Sequence, residues 1–299
     1  MTLNECYKQV LWNWFGKEEN DRKFIDEVIK NMKKHWKDKN IFIIEAPTGY
    51  GKSVISATIS LFSLKDDGCL KCIIAFPLRS LLEDQYRKFL GEIKSEGNEE
   101  ELVCRDQKIQ KSILGNIDLD LRLKLIGKRY MHNPESRYLI KPITLTTVDT
   151  LALTLFGIPP ELIDRVFRAW DGTIGGSLGH YLFSWSSVVF SNLVLDEVHL
   201  IADSTKSLSF LIALIRIACD FGQKLVLMSA TIPDSLKEIL EKYVNKEKIQ
   251  FIKFEPDKDQ EFYKKRERDK RDKEKKIYEI KLKEMTVSNE EEKFNEIIK

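Results

Sequence analysis

The sequence predicts a doubly wound α/β domain, a mostly parallel sheet with helices on both faces. Three observations predict it. Short apolar runs recur along the chain, and most are continuously apolar rather than alternating, as strands buried on both faces require. Helical patterns lie between several of them, in the strand–helix–strand rhythm of parallel sheets. One strand-to-helix junction, within "IIEAPTGYGKSV" at 43–54, carries two glycines, a lysine and a serine, the build of a phosphate cradle.

Taken in order, residues 1–40 read as a helical lead-in, with Phe24, Ile25, Val28, Ile29 and Met32 recurring at helical spacing to give one apolar face. Strands follow at "IFII" (41–44), "CIIAF" (72–76), "ITLT" (143–146), "LVL" (193–195), "KLVLM" (224–228) and "IQFIKF" (249–254). Helical patterns cover 52–64, 79–94, 148–156, 206–221 and 234–244. Two stretches break the rhythm. Residues 157–190 form a Gly/Trp/Phe-rich insertion. Residues 257–276, "DKDQEFYKKRERDKRDKEKK", are almost all charged and read as a solvated helix or linker, since interleaved acids weaken the competing reading as a nucleic-acid contact. The domain is therefore bounded at 41–255, and 256–299 is a charged helix or linker beyond it.

Composition narrows the function classes. The 299 residues include 42% hydrophobic ones, enough for a sizeable core. Lys plus Arg number 49 against 47 Asp plus Glu, so a basic surface for nucleic acid has to be local. The five cysteines are scattered, and Cys69 and Cys72 form a lone CxxC with no second pair to complete a zinc site. This usage suits a reducing compartment. No apolar run approaches the ~20 residues of a membrane span, and the N-terminus has acids and no small-residue cleavage site. The expectation is a cytoplasmic protein with no membrane partner.

The cradle spans Ala46, Pro47, Thr48, Gly49, Tyr50, Gly51, Lys52 and Ser53. Glycines let backbone N–H groups turn toward phosphate oxygens, and the following helix N-terminus adds its dipole. Lys52 is placed to reach the β- and γ-phosphates, and Ser53 to ligate Mg2+. The first position is Ala rather than Gly, and Tyr50 stands where phosphate needs no side chain. Further on, "LVLDEVH" at 193–199 is an apolar strand ending in two carboxylates. Asp196 is suited to hold Mg2+, and Glu197 to orient and deprotonate a water. His199 follows, with a satisfied helix-start histidine as its plain reading. In "LMSATIP" at 227–233, Ser229 and Thr231 put hydroxyls at a strand's C-terminal end, where doubly wound sheets place ligands.

These three pieces, in this order, resemble the DExH branch of superfamily-two helicases, whose motifs read APTGxGKT, DExH and SAT. "FPLRSLLEDQ" at 76–85 and "TTVDTL" at 146–151 resemble that branch's nucleic-acid motifs, which implies DNA contacts at Pro77, Arg79, Ser80, Thr147 and Asp149. Within the branch the wording "EAPTGYGKS", "TTVDTL", "NLVLDEVHL" and "VLMSATIP" is most similar to the CRISPR-associated helicase of type I interference systems. The resemblance covers about 40–255 and implies a first RecA-like P-loop NTPase domain. It also implies ATP and Mg2+ as cofactors, Lys52, Asp196, Glu197, His199, Ser229 and Thr231 as catalytic residues, and movement along single-stranded DNA opened by an RNA-guided CRISPR surveillance complex.

The chain departs from that family in three ways. None of His35, His132, His180 and His199 is followed by Asp, so the family's His-Asp nuclease is expected as a separate subunit. "DRKFIDEVIK" has no adenine-reading glutamine, and Gln9 is far upstream. No Gly-Arg pair occurs, so the arginines of a second RecA-like helicase half are expected elsewhere, and 289–299 read as a first helix leading toward it. The expectation is the front half of a motor, poorly active by itself. Two other readings stay open, another DExH translocase in repair or transcription and a non-catalytic, nucleotide-gated module that binds DNA or protein.

Overall fold

In the computed structural model, residues 2–17, 22–65, 69–91, 111–131, 133, 135–158, 168, 171, 179–201, 205–255, 259, 260, 262 and 264 are described. Contacts divide the chain into a unit of residues 1–259 and a second unit of residues 260–299. The expected tail helix at 289–299 and nearly all of the charged run lie outside the described residues, as do His132 and most of the insertion's first half.

The first unit opens with α1 (Leu3–Phe15) and α2 (Lys23–His35). Thr2 and Glu5 cap the start of α1 reciprocally, each side chain bonded to the other's backbone N–H. Then come β1 (Ile41–Glu45), α3 (Lys52–Ser63), β2 (Lys71–Phe76), α4 (Arg79–Leu90), α5 (Leu119–Leu125) and β3 (Ile126–Arg129). The rest is β4 (Ile143–Thr147), α6 (Val148–Leu155), α7 (Gly179–Val189), β5 (Ser191–Leu195), α8 (Thr205–Asp220), β6 (Leu225–Ser229), α9 (Asp234–Tyr243) and β7 (Ile249–Lys253).

The seven strands form one sheet in the order β3-β4-β2-β5-β6-β1-β7, and every pairing is parallel. Alternate residues of a strand point to opposite faces, so continuous apolar strands need cover on both. Ile41, Ile43, Ile73, Leu193, Leu195, Leu225 and Leu227 pack in one core with residues of α6, α7, α8 and α9. The intervening Phe42, Ile44, Cys72, Ile74, Val194 and Val226 are equally buried on the other face. There α1 lies on α3, α3 and α4 lie on β2, and Trp36 after α2 stacks on Phe42 with ring centroids 5.5 Å apart. Each fully buried large apolar side chain contributes about 1.5–3 kcal/mol.

All six expected strands are present, with ends shifted by one or two residues. The seventh, β3, was not expected. Its residues Ile126-Gly127-Lys128-Arg129 make no apolar run, and the buried Arg129 is accommodated by donating to the Tyr130 and Asn133 carbonyls. Helix α4 ends at Leu90 rather than 94, where Gly91 takes φ 77° and its N–H bonds the Arg87 carbonyl. Inside the 157–190 stretch lies α7, whose Ser184, Ser187, Val188 and Val189 are buried. No described helix is long and apolar enough to cross a membrane.

Candidate functional site

A parallel sheet puts the C-terminal ends of its strands along one edge, and the strand order decides which loops become neighbours there. Here β1 sits beside β6, and β6 beside β5. The loop after β1, the acidic pair after β5 and the Ser-Ala-Thr stretch after β6 are therefore contiguous. Two backbone hydrogen bonds tie the edge together, from Ala46 N to the Ser229 carbonyl at 2.9 Å and from Asp196 N to the Ala75 carbonyl at 3.0 Å.

The loop turns through two left-handed glycines, Gly49 at φ 78° and Gly51 at φ 102°, and a Cβ at either would meet nothing within 4 Å. The open space is what a bound anion needs, and the left-handed φ is what a residue with a Cβ resists. Gly51 leads directly into α3, so Lys52 and Ser53 stand on its first turn. Thr48 is exposed, Pro47, Gly51 and Ser53 are half-buried, and Ala46 is buried.

Lys52 is only 6% exposed. Its Nζ donates to the Ala46 carbonyl at 3.3 Å and pairs with Glu197 Oε1 at 3.1 Å. The two residues expected to act on a terminal phosphate thus hold each other. Glu197 itself adopts φ 52° and ψ 49°, a left-handed conformation that costs a non-glycine residue about 1–2 kcal/mol. Such strain marks positions where the surroundings dictate the side chain's aim. Glu197 Oε2 is buried without a hydrogen-bond partner, and His199 Nδ1 lies 3.4 Å from it. Asp196 Oδ1 accepts from the Glu197 N–H at 2.9 Å. Burial, then the neighbouring Glu197 charge, pushes the Asp196 carboxyl up to about 6, with Lys52 opposing.

Ser229 completes the cluster. Its hydroxyl donates to the Thr231 carbonyl at 2.7 Å, so its oxygen accepts from His199 Nδ1 at 3.0 Å, which puts the ring proton on Nδ1. Thr231 enters this network through its carbonyl, and its exposed side chain does not. Lys52, Asp196, Glu197, His199 and Ser229 are brought together at this edge. Tyr50 is placed otherwise. Its side chain is fully buried, so only its backbone borders the loop.

The five residues expected at DNA lie on the same edge but on the other side, after β2 and β4. These strands pair in register Phe76 to Thr147. Pro77 and the exposed Arg79 and Ser80 open α4, while Thr147 and the exposed Asp149 open α6. Arg79 is held over the Tyr130 ring, 4.5 Å from its centroid. Tyr130 in turn donates to Glu83 at 2.9 Å, and Lys128 pairs with Glu83 at 2.8 Å. Sequence reasoning missed Tyr130 and Glu83. The aromatic just after β3 is a faint signal, and it gains meaning only once β3 is seen to be a strand.

Comparisons with known proteins agree with this architecture. The family model described as DEAD/DEAH box helicase matches residues 23–124, which contain the glycine loop and stop short of the acidic pair. The crystal structure of T. fusca Cas3 matches at 14% identity and a TM-score of 0.52, over 81% of this chain and 24% of that one. The Cas3-ADP structure matches at 15% identity and a TM-score of 0.51, over 81% of this chain and 24% of that one. The DUF1998 helicase MrfA bound to DNA matches at 16% identity and a TM-score of 0.49, over 84% of this chain and 29% of that one. The chain thus spans 24% to 29% of the length of these structures. The seven-stranded parallel sheet has the RecA-like fold. Comparison with curated proteins gives no match.

Proposed function

We propose that this chain is the ATP-binding first RecA-like domain of a DExH-type helicase that translocates on single-stranded DNA. The observation that carries this reading is the convergence of Lys52 on Glu197 at 3.1 Å, at the mouth of a glycine-turned loop and beside Asp196. A lysine and two carboxylates in that place do little for the fold and much for phosphoryl transfer. The loop's N–H groups and Lys52 hold the β- and γ-phosphates. Glu197 takes the proton from the attacking water, and His199, fixed by Ser229, keeps the carboxylate oriented.

The donor set suits Mg2+. Ser53 and Asp196 offer the hard oxygen ligands that ion takes, and an unsatisfied Glu197 oxygen stands beside them. When bound, Mg2+ neutralises charge on the β- and γ-phosphates. Pro77, Arg79, Ser80, Thr147 and Asp149 form the ridge for the DNA backbone. The charge that stabilises the transition state comes from a second RecA-like half. The wording of the motifs, similar to the type I CRISPR helicases, favours a single strand exposed by an RNA-guided surveillance complex, with a His-Asp nuclease as the partner activity.

The test is titration of a fluorescent Mg·ATP analogue against wild type and Lys52→Ala. A charge-assisted hydrogen bond contributes about 1.5–3 kcal/mol, so the variant binds about 10- to 150-fold more weakly. Equal affinities overturn the reading.

A further inference from the structure

Tyr50 occupies the apex of the glycine loop, yet its side chain is 0% exposed. The ring lies between Phe24 and Phe254, with centroids 5.9 and 5.0 Å away, and the Arg22 guanidinium sits over its face at 5.3 Å. Its hydroxyl is fully engaged. It donates to Asp259 Oδ2 at 2.6 Å and accepts from Phe24 N at 3.1 Å. Phe254 is itself anchored to the strand that carries the loop, through its N–H to the Glu45 carbonyl at 2.8 Å. One residue of the loop is thus pinned by the start of α2, by the residue after β7, and by a carboxylate at the last position of the first unit.

Hydrophobic packing alone does not explain this arrangement. A phenylalanine would fill the same space without needing a hydroxyl partner. A short bond to a carboxylate is directional and roughly twice as strong as a neutral one. It fixes where the loop's backbone stands, between two glycines that would otherwise let it wander. Backbone N–H groups bind phosphate well only when they are aimed before the ligand arrives.

We propose that Tyr50 is a positioning residue of the phosphate loop and that its hydrogen bond to Asp259 couples nucleotide affinity to the seating of Asp259 on the loop. The proposal rests on the reading of the loop as an ATP cradle. Because binding couplings are reciprocal, a bound nucleotide holds Asp259 on Tyr50 as strongly as Asp259 holds the loop for the nucleotide.

The experiment compares wild type, Tyr50→Phe, Asp259→Leu, the double variant and Asp259→Asn in the full chain. Each is titrated with a fluorescent Mg·ATP analogue, and single-stranded DNA affinity is measured alongside. Tyr50→Phe keeps the ring and removes the hydroxyl's two bonds, to Asp259 and from Phe24 N. It is expected to bind nucleotide about three- to tenfold more weakly, with DNA affinity unchanged. Asp259→Leu should also lose affinity, and the double variant should lose less than the sum of the two, since the Tyr50–Asp259 bond is common to both. Asp259→Asn keeps an acceptor oxygen and should recover most of the affinity. The proposal is overturned if wild type binds nucleotide and Tyr50→Phe binds it equally well, or if the two losses add. If wild type binds no nucleotide at all, the cradle reading fails instead, and the two failures are told apart by that control.

Discussion

The cradle's lysine is paired with Glu197, and that should be measurable as a gain of affinity in Glu197→Gln. Lys52 and Glu197 lie 3.1 Å apart, with side chains 6% and 16% exposed. At an effective dielectric of about 20 their gross attraction is about 5 kcal/mol, most of which the cost of desolvating both groups cancels. What survives is a charge-assisted hydrogen bond of about 1.5–3 kcal/mol, and a neutral acceptor keeps roughly half of that. An incoming phosphate must displace Glu197 from Lys52. Replacing the carboxylate by an amide of the same shape lowers that cost by about 1 kcal/mol, and Mg·ATP then binds about fivefold tighter. The assay is calorimetric titration with a slowly hydrolysed ATP analogue. Removing a negative charge also relieves repulsion of the phosphates, so the cycle is completed with Lys52→Ala and the double variant. Release of Lys52 requires the gain to vanish in the Lys52→Ala background. A gain of the same size there, or no gain in Glu197→Gln alone, refutes the reasoning.

Lys71, at the start of β2, is buried and donates to the Leu139 carbonyl and Ser187 Oγ, and burial pushes its ammonium down to about 7. Its unfolded value is about 10.4, so between those values the unfolded chain binds the extra proton and stability rises with pH. Lys71→Met should be about 1–4 kcal/mol more stable than wild type at pH about 7, and the advantage should fade toward pH about 10 in urea melts. A difference independent of pH contradicts this. Arg79→Ala should weaken single-strand binding equally for all sequences and reduce the salt slope by about 0.7, measured by anisotropy across a salt series.

The amino-acid sequence by itself determined the elements whose signal is local. "IFII", "CIIAF" and "KLVLM" are apolar at every position because both faces of a central strand are covered, and no neighbour has to be known to read that. Gly49 and Gly51 announce their left-handed turns in the same way. Lys52, Asp196, Glu197 and Ser229 were also legible as polar groups at or just beyond the ends of apolar runs. What the sequence could not decide is which loops meet. Parallel strands are joined by crossovers, so spatial neighbours are distant in the chain, and only the order β5-β6-β1 brings Glu197 and Ser229 to Lys52. The same order sets β2 and β4 to one side and gives Arg79 and Thr147 a separate ridge. The polar edge strand β3 stayed hidden because its pairing with β4, rather than its own composition, makes it a strand. Tyr50 looked like a loop residue until the fold brought Phe24, Phe254 and Asp259 around it. A side chain's direction is settled by whatever fills the space beside it, and that space is built from segments that the sequence keeps far apart.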